Sequence, residues 1–147
     1  MQKNQIYLIT FSATQNRPIP SGYAKYVGSE DNLQKSVARY LNSNNAFWFH
    51  CPNGGLRSGR AGANFLAMGV ISGVPDCLIL DQLQGFAGMA IELKVGYNKV
   101  SPAQLEFLRK LTERNWLTWV SYSLDECIDL INWYYGIQTN AYRKKNE

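Results

Sequence analysis

The chain has 147 residues, 46% of them hydrophobic and 18% charged, a balance that belongs to one folded domain and excludes a disordered chain. A net charge of +4 and a pI near 9.0 lean toward polyanionic partners, and no apolar run approaches the ~18 residues a membrane span needs. Cys51, Cys77 and Cys127 form no CxxC pair and His50 is the sole histidine, so a zinc site is not expected; the cysteines read as reduced core residues of a cytoplasmic protein without a signal peptide.

Residues 1–28 read as an arm of unassigned packing, with strand-like Ile6–Phe11 followed by loop signals over Asn16–Gly22. Ser29 then caps a helix from Glu30 to about Asn42, with Leu33, Val37, Tyr40 and Leu41 on one face. Glu30 and Asp31 complement the dipole in its first turn, which accounts for both without chemistry. Ala46–His50 is aromatic and strand-like and ends at the turn Pro52-Asn-Gly-Gly55. Between Leu56 and Met68 the pattern predicts a short helix stopped by Gly69. Arg57 and Arg60 at its start are suited to bidentate phosphate contacts or to a solvated surface. No phosphate-cradle motif accompanies the glycines there, so a nucleotide-binding loop is discounted.

Cys77–Leu80 and Met89–Val95 read as two neighbouring strands joined by a Gly-containing loop, with Pro75-Asp76 at the head of the first. Alternation puts Ala90, Glu92 and Lys94 on one face of the second strand and Ile91, Leu93 and Val95 on the other, the core face. An isolated Glu-x-Lys is most often a surface ion pair. With Asp76 on the adjacent strand, two carboxylates and an ammonium converge instead, a set that can hold Mg²⁺ or Mn²⁺ and work on phosphate. Ser101-Pro-Ala-Gln104 opens the next helix with a capping box, Leu105, Leu108 and Leu111 line its buried side, and Asn115 ends it. Trp116–Val120 is a strand. Ser123-Leu-Asp-Glu126 is a second capping box, opening a helix that runs to about Tyr135 and stops at Gly136. The residues after it form a basic tail. That order predicts an α/β fold, a mixed sheet flanked by helices.

Pro75-Asp76 followed by Glu92-x-Lys94, with Glu30 on a preceding helix, resembles the PD-(D/E)xK nuclease core. Pro52-Asn-Gly-Gly55, Arg57-Ser58, Gly69-Val-x-x-Gly-Val-Pro-Asp76, Ile91-Glu-Leu-Lys94 and Val100-Ser-Pro-Ala-Gln104 together resemble the VRR-NUC (virus-type replication-repair nuclease) family over roughly residues 29–135. The resemblance implies a restriction-endonuclease-like core over 29–136, preceded by the arm and followed by the 137–147 tail. It implies that Asp76, Glu92, Glu30 and the Leu93 carbonyl bind Mg²⁺ or Mn²⁺, that Lys94 is the catalytic lysine, and that Gln104 points toward the site in competition with its capping role. Asn53, Arg57, Arg60 and Lys99 are the candidate DNA contacts. The implied activity is metal-dependent cleavage of branched DNA, notably four-way junctions, by a homodimer. The alternatives are a nicking or flap nuclease without junction preference and a DNA-binding module without turnover. The arm departs from the family pattern, which needs no such segment.

Overall fold

The computed structural model describes residues 17–52 and 59–139. The Ile6–Phe11 strand, the glycine turn after Pro52 and the tail from residue 140 lie outside them, as do Asn53 and Arg57. The described elements are α1 (Glu30–Ser43), β1 (Trp48–Phe49), α2 (Gly59–Ala67), β2 (Cys77–Ile79), β3 (Gly88–Leu93), α3 (Pro102–Glu113), β4 (Trp116–Ser121) and α4 (Leu124–Tyr135). Their order and type follow the pattern read from the sequence.

The strands form one sheet in the order β1-β2-β3-β4. β1, β2 and β3 pair antiparallel, and β4 runs parallel to β3 with Glu92 opposite Val120. A parallel neighbour requires a long crossover, which α3 supplies. Alternation along the strands divides the interior into two cores. Cys77, Ile79, Met89, Ile91, Leu93, Leu117 and Trp119 meet Leu33, Val37 and Leu41 of α1 and Leu130, Ile131 and Tyr134 of α4. Leu78, Ala90 and Val120 on the opposite face meet Leu108 of α3. Each fully buried Leu or Ile contributes about 1.5–3 kcal/mol relative to exposure, so both layers count toward stability.

The face of β3 opposite its named core face is covered as well. Every residue from Gly88 to Leu93 is buried, and the face carrying Ala90 and Glu92 lies under α3. The edge strand β1 is shorter than Ala46–His50 because the Phe47 N–H donates to the Asp81 carboxylate (2.9 Å) in place of a strand carbonyl. Cys77 and Cys127 are buried free thiols, whereas Cys51 is only half-buried and outside the core.

The second capping box is half realised. Ser123 Oγ accepts from the Glu126 N–H (3.3 Å), but the Glu126 carboxylate turns inward, accepting from Trp119 Nε1 at 3.1 Å and pairing with Arg17 at 3.3 Å. A buried indole N–H needs an acceptor, and that demand outweighs the cap. The first box, at Ser101 and Gln104, is complete. Residues 17–28 pack on the domain: Ile19 joins the larger core, Tyr23 Oη donates to Asp129 (2.6 Å), and the Tyr26 N–H donates to the Tyr122 carbonyl (2.7 Å).

Gly73 sets how closely the 69–76 loop approaches α3. Its φ is +83°, and a Cβ there would lie 2.4 Å from the Ala103 carbonyl oxygen. Gly73→Ala is expected to lower unfolding free energy by about 1–3 kcal/mol, through backbone strain and a clash with immovable main chain. Urea denaturation checks this, and a variant as stable as the parent would show that the loop does not need that approach.

Candidate active site

Asp76 stands immediately before β2 and Glu92 lies on β3; the antiparallel register pairs Cys77 with Ile91 and so brings the two carboxylates side by side. Asp76 is held by the peptide backbone, its Oδ2 accepting from the Leu93 N–H at 2.8 Å. Glu92 is 1% exposed. Its Oε1 accepts from Gln104 Nε2 at 2.6 Å and lies 3.3 Å from Lys94 Nζ, and Lys94 is itself buried. Glu92 Oε2 is buried without a hydrogen-bond partner. An ionised oxygen in that state is costly unless a cation compensates it.

Gln104 serves two purposes because its amide has two ends. Oε1 accepts from the Ser101 N–H (2.9 Å) to complete the capping box, and Nε2 donates to Glu92. The competition expected from the sequence is absent, and the cap fixes the amide that fixes the carboxylate.

Burial and the neighbouring Asp76 charge push Glu92 up to about 8, against the pull of Lys94 and of the Asp76 peptide N–H. Asp76 is raised as well, by burial, with the Leu93 N–H, His50 and Lys94 opposing. Two adjacent carboxylates that resist simultaneous ionisation, one with an orphaned oxygen, make a donor set suited to a hard divalent cation, with the Leu93 carbonyl as a further oxygen candidate.

Glu30 does not join them. Among the described residues no group of three or more His, Cys, Asp and Glu side chains comes together as a metal cluster. Glu30 sits at the start of α1, where its charge, with that of Lys94, acts on the Tyr122 phenol at the end of β4. Gln34, one turn along α1, donates to Cys77 Sγ (3.6 Å). Arg60 is exposed on α2 and Lys99 is exposed on the β3–α3 connection.

His50 was not among the candidates. Its Nδ1 lies 2.7 Å from the Asp76 carbonyl oxygen, and its ring helps hold down the Asp76 carboxyl. The β1–β2 register accounts for it: with Phe49 opposite Leu78 in an antiparallel pair, His50 falls opposite Cys77 and next to Asp76.

No protein-family model matches the sequence, and no curated protein matches it. A solved structure does: a VRR_NUC domain protein superposes with a TM-score of 0.63 and 25% identity, over 77% of this chain and 93% of that one. The chain has a VRR-NUC fold. The architecture is the α/β, restriction-endonuclease-like mixed sheet expected from the motif order. Among the described residues no helix is long and apolar enough to cross a membrane.

The Glu92 shift has a stability consequence. Between the ordinary carboxylate value of 4.5 and about 8 the folded protein retains a proton that the unfolded chain has lost. Stability of the metal-free protein should therefore be full below that window and fall as pH rises through it. Glu92→Gln is expected to flatten this slope. Thermal unfolding in EDTA across the window checks it; parallel slopes for the parent and Glu92→Gln would count against a buried, proton-holding Glu92.

Proposed function

We propose that this protein is a divalent-metal-dependent endonuclease that hydrolyses phosphodiester bonds in branched DNA, acting as a homodimer on substrates of the four-way-junction type. The observation that carries the reading is the Asp76–Glu92 carboxylate pair beside Lys94, with a buried Glu92 oxygen that accepts no hydrogen bond. Asp76, Glu92 and the Leu93 carbonyl would hold Mg²⁺ or Mn²⁺, with Glu30 as an acidic residue at the margin. Such a cation, when bound, polarises a phosphoryl oxygen and makes water nucleophilic near neutral pH.

The chain's own groups do the positioning. The Leu93 N–H fixes one Asp76 oxygen, and Gln104 fixes one Glu92 oxygen and leaves the other available. Lys94 brings a buried ammonium beside Glu92, and positive charge shielded from water acts strongly on the charge that builds on a phosphate in the transition state. Arg60 and Lys99, both exposed, are suited by residue type to grip the DNA backbone, as are Arg57 and Asn53 by residue type alone. The same constellation argues against a pure binding module, which gains nothing from two carboxylates facing phosphate.

Branched DNA rests on the family resemblance. A two-fold dimer would set two sites against two strands of a junction. Supporting a second copy is an apolar strip on and beside α2, a helix with no buried residue: Leu66, Met68 and Ile71 are all exposed. Leu66 and Ile71 share a groove with Phe107 and Leu111 of α3, rimmed by Glu106, Lys110 and Arg114, charges of both signs as a self-complementary contact requires.

Cleavage of a labelled four-way junction beside a linear duplex of the same sequence, with Mg²⁺, Mn²⁺ or EDTA, tests the reading. Paired metal-dependent nicks in the junction are expected. Glu92→Ala should abolish them while DNA binding persists, and Lys94→Ala should lower turnover about 100-fold or more with Mn²⁺ binding retained. Wild-type cutting by Glu92→Ala, or none by the parent despite tight binding, would sink the assignment. In sedimentation, the parent should run as a dimer and Leu66→Glu as a monomer; a monomeric parent would remove the dimer.

A further inference from the structure

The connection from β3 to α3 leaves Lys94 and turns at once. Gly96 adopts φ +56°, and the Asn98 N–H closes the turn onto the Val95 carbonyl at 3.1 Å. At the tip stands Tyr97, 95% exposed. An aromatic ring is among the most valuable groups to bury, and this one stands open to a ligand three residues from the site's lysine.

The turn under it is pinned from two directions. Tyr122 Oη donates to the Asn98 carbonyl at 2.5 Å, and Lys25 Nζ reaches the Gly96 carbonyl at 3.5 Å. The Lys25 ammonium lies 5.3 Å from the Tyr97 ring centroid and 5.6 Å from that of Tyr122, within cation–π range of both. The neighbouring Tyr26 N–H anchors the Lys25 segment to the end of β4. Lys99, also exposed, follows Tyr97 by two residues. The result is an exposed ring with the Lys25 ammonium on one face, on a fixed turn that also carries the exposed Lys99, a combination suited to a base on the free face and its phosphates on the cations.

We propose that Tyr97, with Lys25 and Lys99, is a stacking platform for a DNA base whose face is free of the duplex stack, beside the bond to be cut. This rests on the nuclease reading above and extends it to substrate choice. Continuous duplex offers no free base face. A flap offers an unpaired nucleotide, and a branch point offers a terminal pair with one open side. The platform thus supplies a physical reason for preferring branched DNA over linear duplex, drawn from residues outside the carboxylate site.

Fluorescence of 2-aminopurine tests it directly. In the Glu92→Ala background, which keeps the DNA intact, three probes carry the fluorophore at an unpaired flap nucleotide, at a branch-point pair of a four-way junction, or inside continuous duplex. Quenching on binding is expected for the flap or junction probe and not for the duplex. Adding Tyr97→Ala should abolish the quench and lower the ratio of branched to duplex affinity about tenfold, and Tyr97→Phe should restore both. Quenching of the flap alone assigns the platform to unpaired nucleotides, and of the junction alone to branch-point pairs. A Tyr97→Ala variant with an unchanged quench and ratio overturns the platform. Cleavage by the parent, run alongside, separates the two levels. Turnover without quenching removes only the platform, whereas neither cleavage nor DNA binding removes the nuclease reading and the platform with it.

Discussion

The structure turns on the burial of Glu92. A carboxylate that is 1% exposed, on a strand covered on both faces, is tolerated only where its surroundings supply charge and hydrogen bonds. Lys94 and Gln104 supply part of that on one oxygen and leave the other without a hydrogen-bond partner. Much of the local architecture serves this arrangement. The close approach of the Gly73 loop brings the start of α3 beside the site, the capping box at Ser101 fixes the amide that reaches Glu92, and the parallel β3–β4 pairing holds Glu92 opposite Val120.

Stability and chemistry pull in opposite directions here. Two raised carboxylates side by side are a cost in the metal-free protein, since burial opposes ionisation of both and the Asp76 charge further opposes that of Glu92. Such strain is common at sites built to receive a cation, where the bound ion would offset what folding alone leaves uncompensated. The other face of the same sheet, beside Ile91, shows how a buried carboxylate looks when it serves only the fold. Glu126 has Trp119 on one oxygen and Arg17 on the other, with neither left over.

Much of the fold was legible because local signals agreed. Ser29, Ser101 and Ser123 all cap helices at the predicted places, Gly136 closes the last one in a left-handed conformation, and period-two alternation sorts the strands between two cores. What the sequence concealed were consequences of packing. The face of β3 that carries Glu92 and Lys94 read as a buried carboxylate–ammonium site, and only the placement of α3 shows what covers it. Glu126 matched a capping box, but the indole it satisfies lies on another element. At the site, Asp76, Glu92, Lys94 and Gln104 were found because the motif spacing is local to one hairpin and the next helix. Glu30 fitted the family pattern yet stands apart from the carboxylate pair. His50 and Tyr97 were passed over for opposite reasons: one depends on strand register, and the other is a single exposed ring that no spacing rule selects.

The central claim is that the Asp76–Glu92 pair takes up a divalent cation, and calorimetric titration of the DNA-free protein with Mn²⁺ tests it most directly. The parent should bind Mn²⁺ saturably, and Asp76→Asn and Glu92→Gln, each folded by circular dichroism, should each lose that binding. A parent that takes up no Mn²⁺, or variants that bind it as the parent does, would contradict the account and return the buried Glu92 to the fold alone.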